Sequence, residues 1–121
     1  MLLVEIEEIV KDVLPKIQSM YGESKYYDTT PYIEYEDSIY DISEGEELPD
    51  GEFNEIENSI VLYYPKMKTK ENLIKTLIHE YQHYLQSPLW MKRYYTMGHT
   101  YESHPYEVAA VKEEKNYKLF L

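Results

Sequence analysis

Apolar residues near the start of the chain recur at steps of three and four. They are Ile6, Ile9, Val10, Val13, Leu14, Ile17 and Met20. This spacing predicts a helix with one buried face, and we expect Gly22 to end it. Pro15 falls within the pattern, so the helix should either kink there or divide into two, the first ending at Leu14.

The pattern changes between residues 27 and 65, where short β-branched and aromatic runs alternate with acidic and turn-forming residues. Residues 32–36 and 59–64 are predicted strands, and residues 51–56 form a weaker candidate. Residues 43–51 combine glycine, proline and acidic side chains, which is typical of a loop.

Helical spacing returns in the second half of the chain. Thr69 is a favourable N-cap for a helix over residues 70–86, which Pro88 closes. Residues 88–103 are predicted to be a loop or an irregular helical stretch, and a final helix begins at Pro105. Helices around a small sheet indicate an α+β fold, and 121 residues are enough for one domain, residues 1–121.

Charge is distributed unevenly along the chain. The net charge is −11, and residues 27–65, here called the acidic segment, contain twelve acidic residues and no lysine or arginine. Such a chain is repelled by phosphate backbones and anionic lipids, so we expect neither nucleic acid nor a membrane as a partner. The chain has no cysteine, which excludes disulfides, cysteine-ligated metals and a thiol nucleophile.

The N-terminal apolar residues do not form a targeting signal. Glu5, Glu7 and Glu8 interrupt them, and no basic region precedes them. No apolar run approaches the roughly 18 residues that a membrane span requires. We therefore expect a cytoplasmic protein.

The predicted helix over residues 70–86 carries the pattern H-E-x-x-H, formed by His79, Glu80 and His83. Histidines four positions apart lie one above the other on a helix, so both imidazoles can reach one ion. Glu80 is offset enough to miss that ion and to contact a water beside it. This geometry suits Zn²⁺ with a third protein ligand. The alternative is two solvent-facing histidines on an amphipathic helix.

A third ligand would have to come from another part of the chain. The subclass with a glycine and a third histidine downstream is excluded, because Gln86 and Leu89 occupy those two positions. The remaining candidates are His99, Glu102, His104 and Glu107.

Glu107 is the candidate we favour, because Ala109 and Ala110 would let the helix from Pro105 pack closely against a neighbour. The alternative for Glu107 is a first-turn acid favoured by the helix dipole. For His104 the alternative is an N-cap or surface residue, and for His99 a loop residue.

Together these features resemble the gluzincin branch of the zinc metallopeptidases. The size is similar to that of the minigluzincins, and the pattern is also similar to compact H-E-x-x-H proteins related to the SprT and ImmA/IrrE groups. The resemblance is strong over residues 59–110 and only architectural over residues 1–58. It implies that His79, His83 and Glu107 bind zinc and that Glu80 is the general base.

The resemblance also implies an architecture and a substrate. An N-terminal helix would back a twisted sheet of about three strands, and a peptide or protein substrate would lie along an edge strand. We expect the domain to act as a monomer. The predicted function is zinc-dependent peptide hydrolysis. The alternatives are a latent or non-catalytic zinc-binding regulatory domain and an acidic interaction protein in which H-E-x-x-H is incidental.

Three parts of the chain depart from the gluzincin pattern or leave it incomplete. Val111 occupies the position of the carboxylate that orients a zinc histidine in larger gluzincins, so this support must come from elsewhere. We predict His104 as the catalytic oxyanion donor, and the other candidates are His99, Tyr101 and Tyr95. Residues 112–121 could lie in the cleft and hold the protein latent, but we favour a helix end packed on the core.

Overall fold

The computed structural model describes residues 1–41 and 43–121. In these residues four α-helices and a small mixed sheet form an α+β fold, which confirms the predicted class. The helices are α1 (Leu3–Tyr21), α2 (Lys70–Leu85), α3 (Pro88–Thr96) and α4 (Pro105–Glu113), with 3₁₀ segments at Tyr64–Lys66 and Glu114–Phe120. The strands are β1 (Tyr32–Glu36), β2 (Tyr40–Asp41), β3 (Glu46–Glu47), β4 (Gly51–Asn54) and β5 (Ser59–Tyr63).

The main sheet has the order β1-β5-β4. Strand β1 pairs in parallel with β5, with Tyr32 opposite Ser59, while β4 pairs antiparallel to β5, with Gly51 opposite Leu62. All five residues of the central strand β5 are buried, as expected for a strand covered on both faces. Strands β2 and β3 form a separate antiparallel ribbon.

Helix α1 continues through Pro15 as one helix, so the alternative of two helices is wrong. The proline is exposed, so the carbonyl that loses its hydrogen-bond partner can be solvated. The buried positions of the helix lie on both sides of the proline and keep helical spacing: Ile6, Val10, Val13 and Ile17. Gly22 follows the helix with a φ of 82°, and its N–H donates to the carbonyl of Gln18.

The core lies between α1, α2 and one face of the sheet. The fully buried α2 residues Leu73, Ile74, Leu77 and Ile78 pack with the α1 stripe and with Ile60 and Leu62 of β5. Phe120, in the C-terminal 3₁₀ segment, is 5% exposed and belongs to the same cluster. Both α2 and the C-terminal 3₁₀ segment are therefore anchored by the same hydrophobic core.

Two regions differ from the sequence prediction. The chain after α2 forms the regular helix α3, because Ser87 caps it by accepting a hydrogen bond from the backbone N–H of Trp90 and Pro88 occupies its first turn. Within the predicted loop 43–51, Glu46–Glu47 pairs with Tyr40–Asp41 as a short ribbon.

The predicted cap of α2 is confirmed, since Thr69 Oγ1 accepts from Asn72 N at 3.1 Å.

Across residues 1–41 and 43–121, no helix combines the length and the apolar character that a membrane span requires.

Candidate metal centre

His79 and His83 lie one turn apart on α2, with ring centroids 4.9 Å from each other. Both residues are almost completely buried, at 8% and 9% exposure. A carboxylate oxygen of Glu107, from the first turn of α4, lies 3.1 Å from His79 Nε2 and 2.5 Å from His83 Nε2. Three donors from two helices thus converge on one point, as the sequence predicted for these residues.

The outer nitrogen of each imidazole has its own partner. His79 Nδ1 lies 2.8 Å from a carboxylate oxygen of Glu114. His83 Nδ1 lies 2.7 Å from Gln86 Oε1, and Gln86 Nε2 donates to the carbonyl of Tyr106 at 3.1 Å. Because Gln86 is oriented by Tyr106, its oxygen faces His83 and accepts the Nδ1 proton.

This arrangement fits a zinc ion. When Nδ1 of both histidines donates to an oxygen, Nε2 carries the free electron pair, and both Nε2 atoms face the Glu107 carboxylate. Two imidazole nitrogens and one carboxylate oxygen form a donor set typical of catalytic zinc sites, which leave one position open. The oxygens of Glu114 and Gln86 supply the orienting contacts that Val111 cannot provide.

Without a metal, hydrogen bonds hold this cluster together. Burial alone would lower the pKa of His79, but its hydrogen bonds with Glu107 and Glu114 outweigh burial and raise that pKa to about 10. Burial would raise the pKa of Glu107, but hydrogen bonds with His79 and His83 lower it to about 2. Metal binding to this cluster must therefore displace protons.

Glu80 lies beside the cluster and is 6% exposed. One of its carboxylate oxygens is 4.0 Å from His83 Nε2, and the ligating atoms of His79, Glu80 and His83 all lie within 4.8 Å of one another. Burial raises the pKa of Glu80 to about 7, although the charges of His83 and His79 oppose this shift. Glu80 therefore lies next to the two histidines, close enough for its carboxylate to contact either a bound ion or a water beside it.

A cavity of about 270 Å³ opens onto the cluster. His79, Glu80, His83 and Glu107 form one side of it. The edge strand β4, with Gly51 and Phe53, and helix α3, with Met91, contribute other parts of the wall. A second cavity, lined by Asp50, Asn72 and Glu114, shares His79 and Glu80 with the first. The cleft therefore extends away from the cluster in two directions.

His104 does not belong to this site. Its side chain is fully buried; Nδ1 accepts from the backbone N–H of Tyr106 at 3.1 Å, and Nε2 lies 2.9 Å from the carbonyl of Met91. It caps α4 and lines none of the cavities described here. The position fits the N-cap alternative and corrects the prediction of a catalytic oxyanion donor, because both ring nitrogens are already engaged.

Of the other candidates, only Tyr101 lines both cavities at the cluster. His99 Nδ1 instead lies 3.2 Å from the hydroxyl of Ser103 in an exposed turn. Glu102 lines a neighbouring surface groove, which shares Tyr101 and Glu107 with the first cavity, but it lines neither cavity at the cluster itself. Neither His99 nor Glu102 is brought to the histidine pair.

The C-terminal residues pack on the core, as we favoured, and Glu114 at the start of the 3₁₀ segment lines the second cavity. Phe120 is buried in the core, and Asn116 Nδ2 donates to the hydroxyl of Tyr21 on α1 at 3.0 Å. This docking carries Glu114 to His79.

Sequence reasoning did not find Glu114 and Gln86, although each leaves a signal. Glu114 follows Glu107 by seven positions, two helical turns, and Gln86 follows His83 by three. Both spacings place the pair on one side of a helix.

Comparison of the chain with protein-family models, curated proteins and solved structures finds no match.

Proposed function

We propose that this chain is a zinc-dependent peptidase of the gluzincin type. The observation that carries the proposal is the convergence of His79 Nε2, His83 Nε2 and a Glu107 oxygen beside Glu80, at the wall of an open cavity. His79, His83 and Glu107 would hold the ion. A bound zinc supplies Lewis acidity and lowers the pKa of a water molecule in the cleft.

Glu80 has the position of the general base in this proposal. It follows His79 directly on α2, borders the cavity and is not needed as a ligand. Its carboxylate would accept a proton from the attacking water and return it to the leaving amine nitrogen.

Tyr101 is the best-placed residue to stabilise the negative oxygen that develops on the scissile carbonyl. It lines the cavities together with Glu80. The residue is 57% exposed, and its partial burial, reinforced by the charge of Glu107, raises its pKa to about 12. A tyrosine with such a pKa remains protonated at neutral pH and can donate a hydrogen bond. Tyr101→Phe should lower kcat by roughly 10²-fold and leave the zinc content unchanged.

The edge strand β4 supports an extended substrate. It pairs only with β5 in the described sheet, and its residues Gly51 and Phe53 line the cavity. A peptide could therefore add to this edge through main-chain hydrogen bonds, with its scissile bond near Glu80.

Metal content is the first test. We expect about one zinc per chain after incubation and dialysis, and a thermal midpoint that falls in a chelator. His79→Ala and Glu107→Ala should abolish tight binding, whereas Glu71→Gln, an exposed change on the same helix, should not. Metal-free wild type with unaltered melting in a chelator would remove the proposal.

Hydrolysis of a diverse peptide library by the zinc-loaded protein is the second test. Glu80→Gln should retain zinc and the fold and lose turnover, because the amide cannot take the proton. Equal turnover by the Gln variant would exclude Glu80 as the base. Tight zinc without any turnover would instead favour the non-catalytic regulatory alternative.

A further inference from the structure

The cavity at the candidate metal centre has one part that the proposed chemistry does not use. Tyr27 and Phe53 supply aromatic wall there, and Glu55, in the turn after β4, supplies a carboxylate. Among the described residues that line this cavity there is no lysine or arginine. Such a wall can bind a long basic side chain. The aliphatic stem can lie on the aromatic rings, and the charged end can pair with the carboxylate.

Glu55 already forms an ion pair with a lysine of the protein. Lys92 Nζ, from α3, lies 3.3 Å from Glu55 Oε1. The Lys92 side chain is 74% exposed and that of Glu55 30%. Exposed ion pairs contribute little stability, about 0–1 kcal/mol, so a substrate cation can replace this lysine. The pair shows that an ammonium group can reach Glu55 at this position.

The second acid of the same wall is less available. Glu52 also borders the cavity, but its carboxylate accepts a hydrogen bond from the hydroxyl of Tyr63 at 2.5 Å. The negative charge of Glu55 acts on the aromatic wall. Burial raises the pKa of Tyr27, and the charge of Glu55 raises it further. Glu55 is therefore the acid best placed to bind a cation next to the aromatic wall.

We propose that Glu55 selects substrates with a lysine or arginine side chain near the scissile bond, and that Lys92 competes with this side chain for the carboxylate. The inference rests on the proposed function and names the substrate class of that site. The acidic segment adds a long-range attraction for the same substrates, but the local pairing with Glu55 gives the selectivity.

The test uses peptides that differ in one side chain. Matched peptides carry lysine, arginine or the uncharged norleucine next to the cleaved bond, with both ends blocked so that only the side chain is charged. A fourth peptide combines norleucine with a free N-terminal amine. We expect kcat/KM of the zinc-loaded protein to be highest for the two basic peptides. A preference for the free amine alone would overturn the side-chain assignment.

Variants of the two charged residues test the competition directly. Glu55→Gln should lower the ratio of kcat/KM for lysine over norleucine about fivefold, equivalent to about 1 kcal/mol. Lys92→Met should raise that ratio about threefold, and this gain should vanish in the Glu55→Gln background. Glu36→Gln removes an exposed acid of the same segment on β1 and should leave the ratio unchanged.

The outcomes separate this inference from the proposed function. If wild type hydrolyses peptides but Glu55→Gln and Glu36→Gln behave alike, the selectivity proposal fails and the peptidase proposal stands. If no peptide is hydrolysed, the peptidase proposal fails. Binding of the same peptides to zinc-loaded Glu80→Gln protein, followed by fluorescence, then decides whether Glu55 recognises the cation: equal affinity for lysine and norleucine peptides would overturn it.

Discussion

Gly51 of the edge strand β4 lies directly against helix α2. A Cβ at this position would lie 2.7 Å from Thr76 Cγ2 and 3.0 Å from the carbonyl oxygen of Val61, with Glu80 Cγ at 3.6 Å. Gly51→Ala should therefore push the strand from the helix, costing about 1–3 kcal/mol of stability. We expect hydrolysis to fall while zinc content is maintained, as measured by melting, metal analysis and kcat/KM.

A second variant shows whether the clash is the cause. Thr76→Ser removes the methyl group and keeps the hydroxyl that donates to the carbonyl of Asn72 at 2.8 Å. Combined with Gly51→Ala, it should restore part of the lost stability and activity. Restoration will be incomplete, because the Val61 carbonyl still lies too close. A double variant no better than Gly51→Ala would exclude this explanation.

His104 is the residue whose role differs most from its prediction. His104→Ala should lose about 1–3 kcal/mol of stability, because the N–H of Tyr106 and the carbonyl of Met91 lose their partner. His104→Asn should lose less, since asparagine caps helices well but is too short for both contacts. Zinc content should be unchanged in both. A folded His104→Ala protein with full stability and reduced kcat would restore the catalytic assignment.

Some residues of the candidate site can be recognised from the sequence alone, and others cannot. His79, Glu80 and His83 were found because their relation is local: helical spacing alone brings them together. For His104 the N-cap was only the alternative to a catalytic role, because its contact with the carbonyl of Met91 depends on the fold. Tyr101 was one of several candidates, and only its place in the cleft distinguishes it.

At the scale of elements, α4 and the C-terminal 3₁₀ segment act together on the candidate centre. Glu107 comes from the helix, while Glu114 begins the 3₁₀ segment that follows it. Glu114→Ala should weaken zinc binding about 10- to 100-fold, the usual effect of losing an orienting carboxylate, because His79 Nδ1 then lacks its acceptor. Competition with a chelating dye measures this affinity.

The neighbouring acid provides a control with the same change in charge. Glu113 accepts from Asn116 Nδ2 at 3.1 Å, and glutamine can still accept this bond. Glu113→Gln should therefore bind zinc like wild type. Equal weakening by both variants would point to net charge and not to the contact with His79.

The elements themselves were predictable where sequence signals agreed. Helix α2 has a cap, an apolar stripe and a terminating proline, and the structure follows all three. Helix α3 was predicted only as a loop or an irregular helical stretch, because none of its residues is buried and it shows no apolar stripe, although Ser87 and Pro88 form a recognisable start. The β2–β3 ribbon could not be predicted, because its acidic residues carry no periodic apolar signal.

At the scale of the whole molecule, the abundance of tyrosine sets an alkaline limit to stability. Burial raises the pKa of Tyr35 and of Tyr81 to about 12, and that of Tyr63 still further, with help from its hydrogen bond to Glu52. The unfolded value is about 10. Because the folded pKa is the higher one, this stability is fully present below about pH 10 and is lost as the pH rises through about 12.

The free energy of unfolding in urea, measured from neutral to alkaline pH, should therefore fall steeply above about pH 10. Tyr81→Phe should lower stability near neutrality by about 1 kcal/mol, because the hydroxyl no longer donates to the carbonyl of Gly22. Its alkaline decline should be shallower, since one ionisation has been removed. A flat profile between about pH 9 and pH 12 would contradict this account.

The order and pairing of the strands in the main sheet cannot be predicted from the pattern of apolar residues. Runs of β-branched and aromatic residues predicted β1 and β5 as strands, but their parallel pairing joins residues 27 positions apart, such as Tyr32 and Ser59. No local signal specifies that partner. The α+β class was predictable because it needs only the types of element.

The C-terminal segment also sets the order of events during synthesis. His79 and His83 leave the ribosome well before Glu107, and Glu114 and its anchor Phe120 follow still later. A nascent chain that has released only α2 thus has two histidines and neither the third donor nor the docked carboxylate. The hydrolytic centre we propose would remain incomplete until Glu107 and the residues up to Phe120 have emerged, and until then the nascent chain would be protected from self-cleavage.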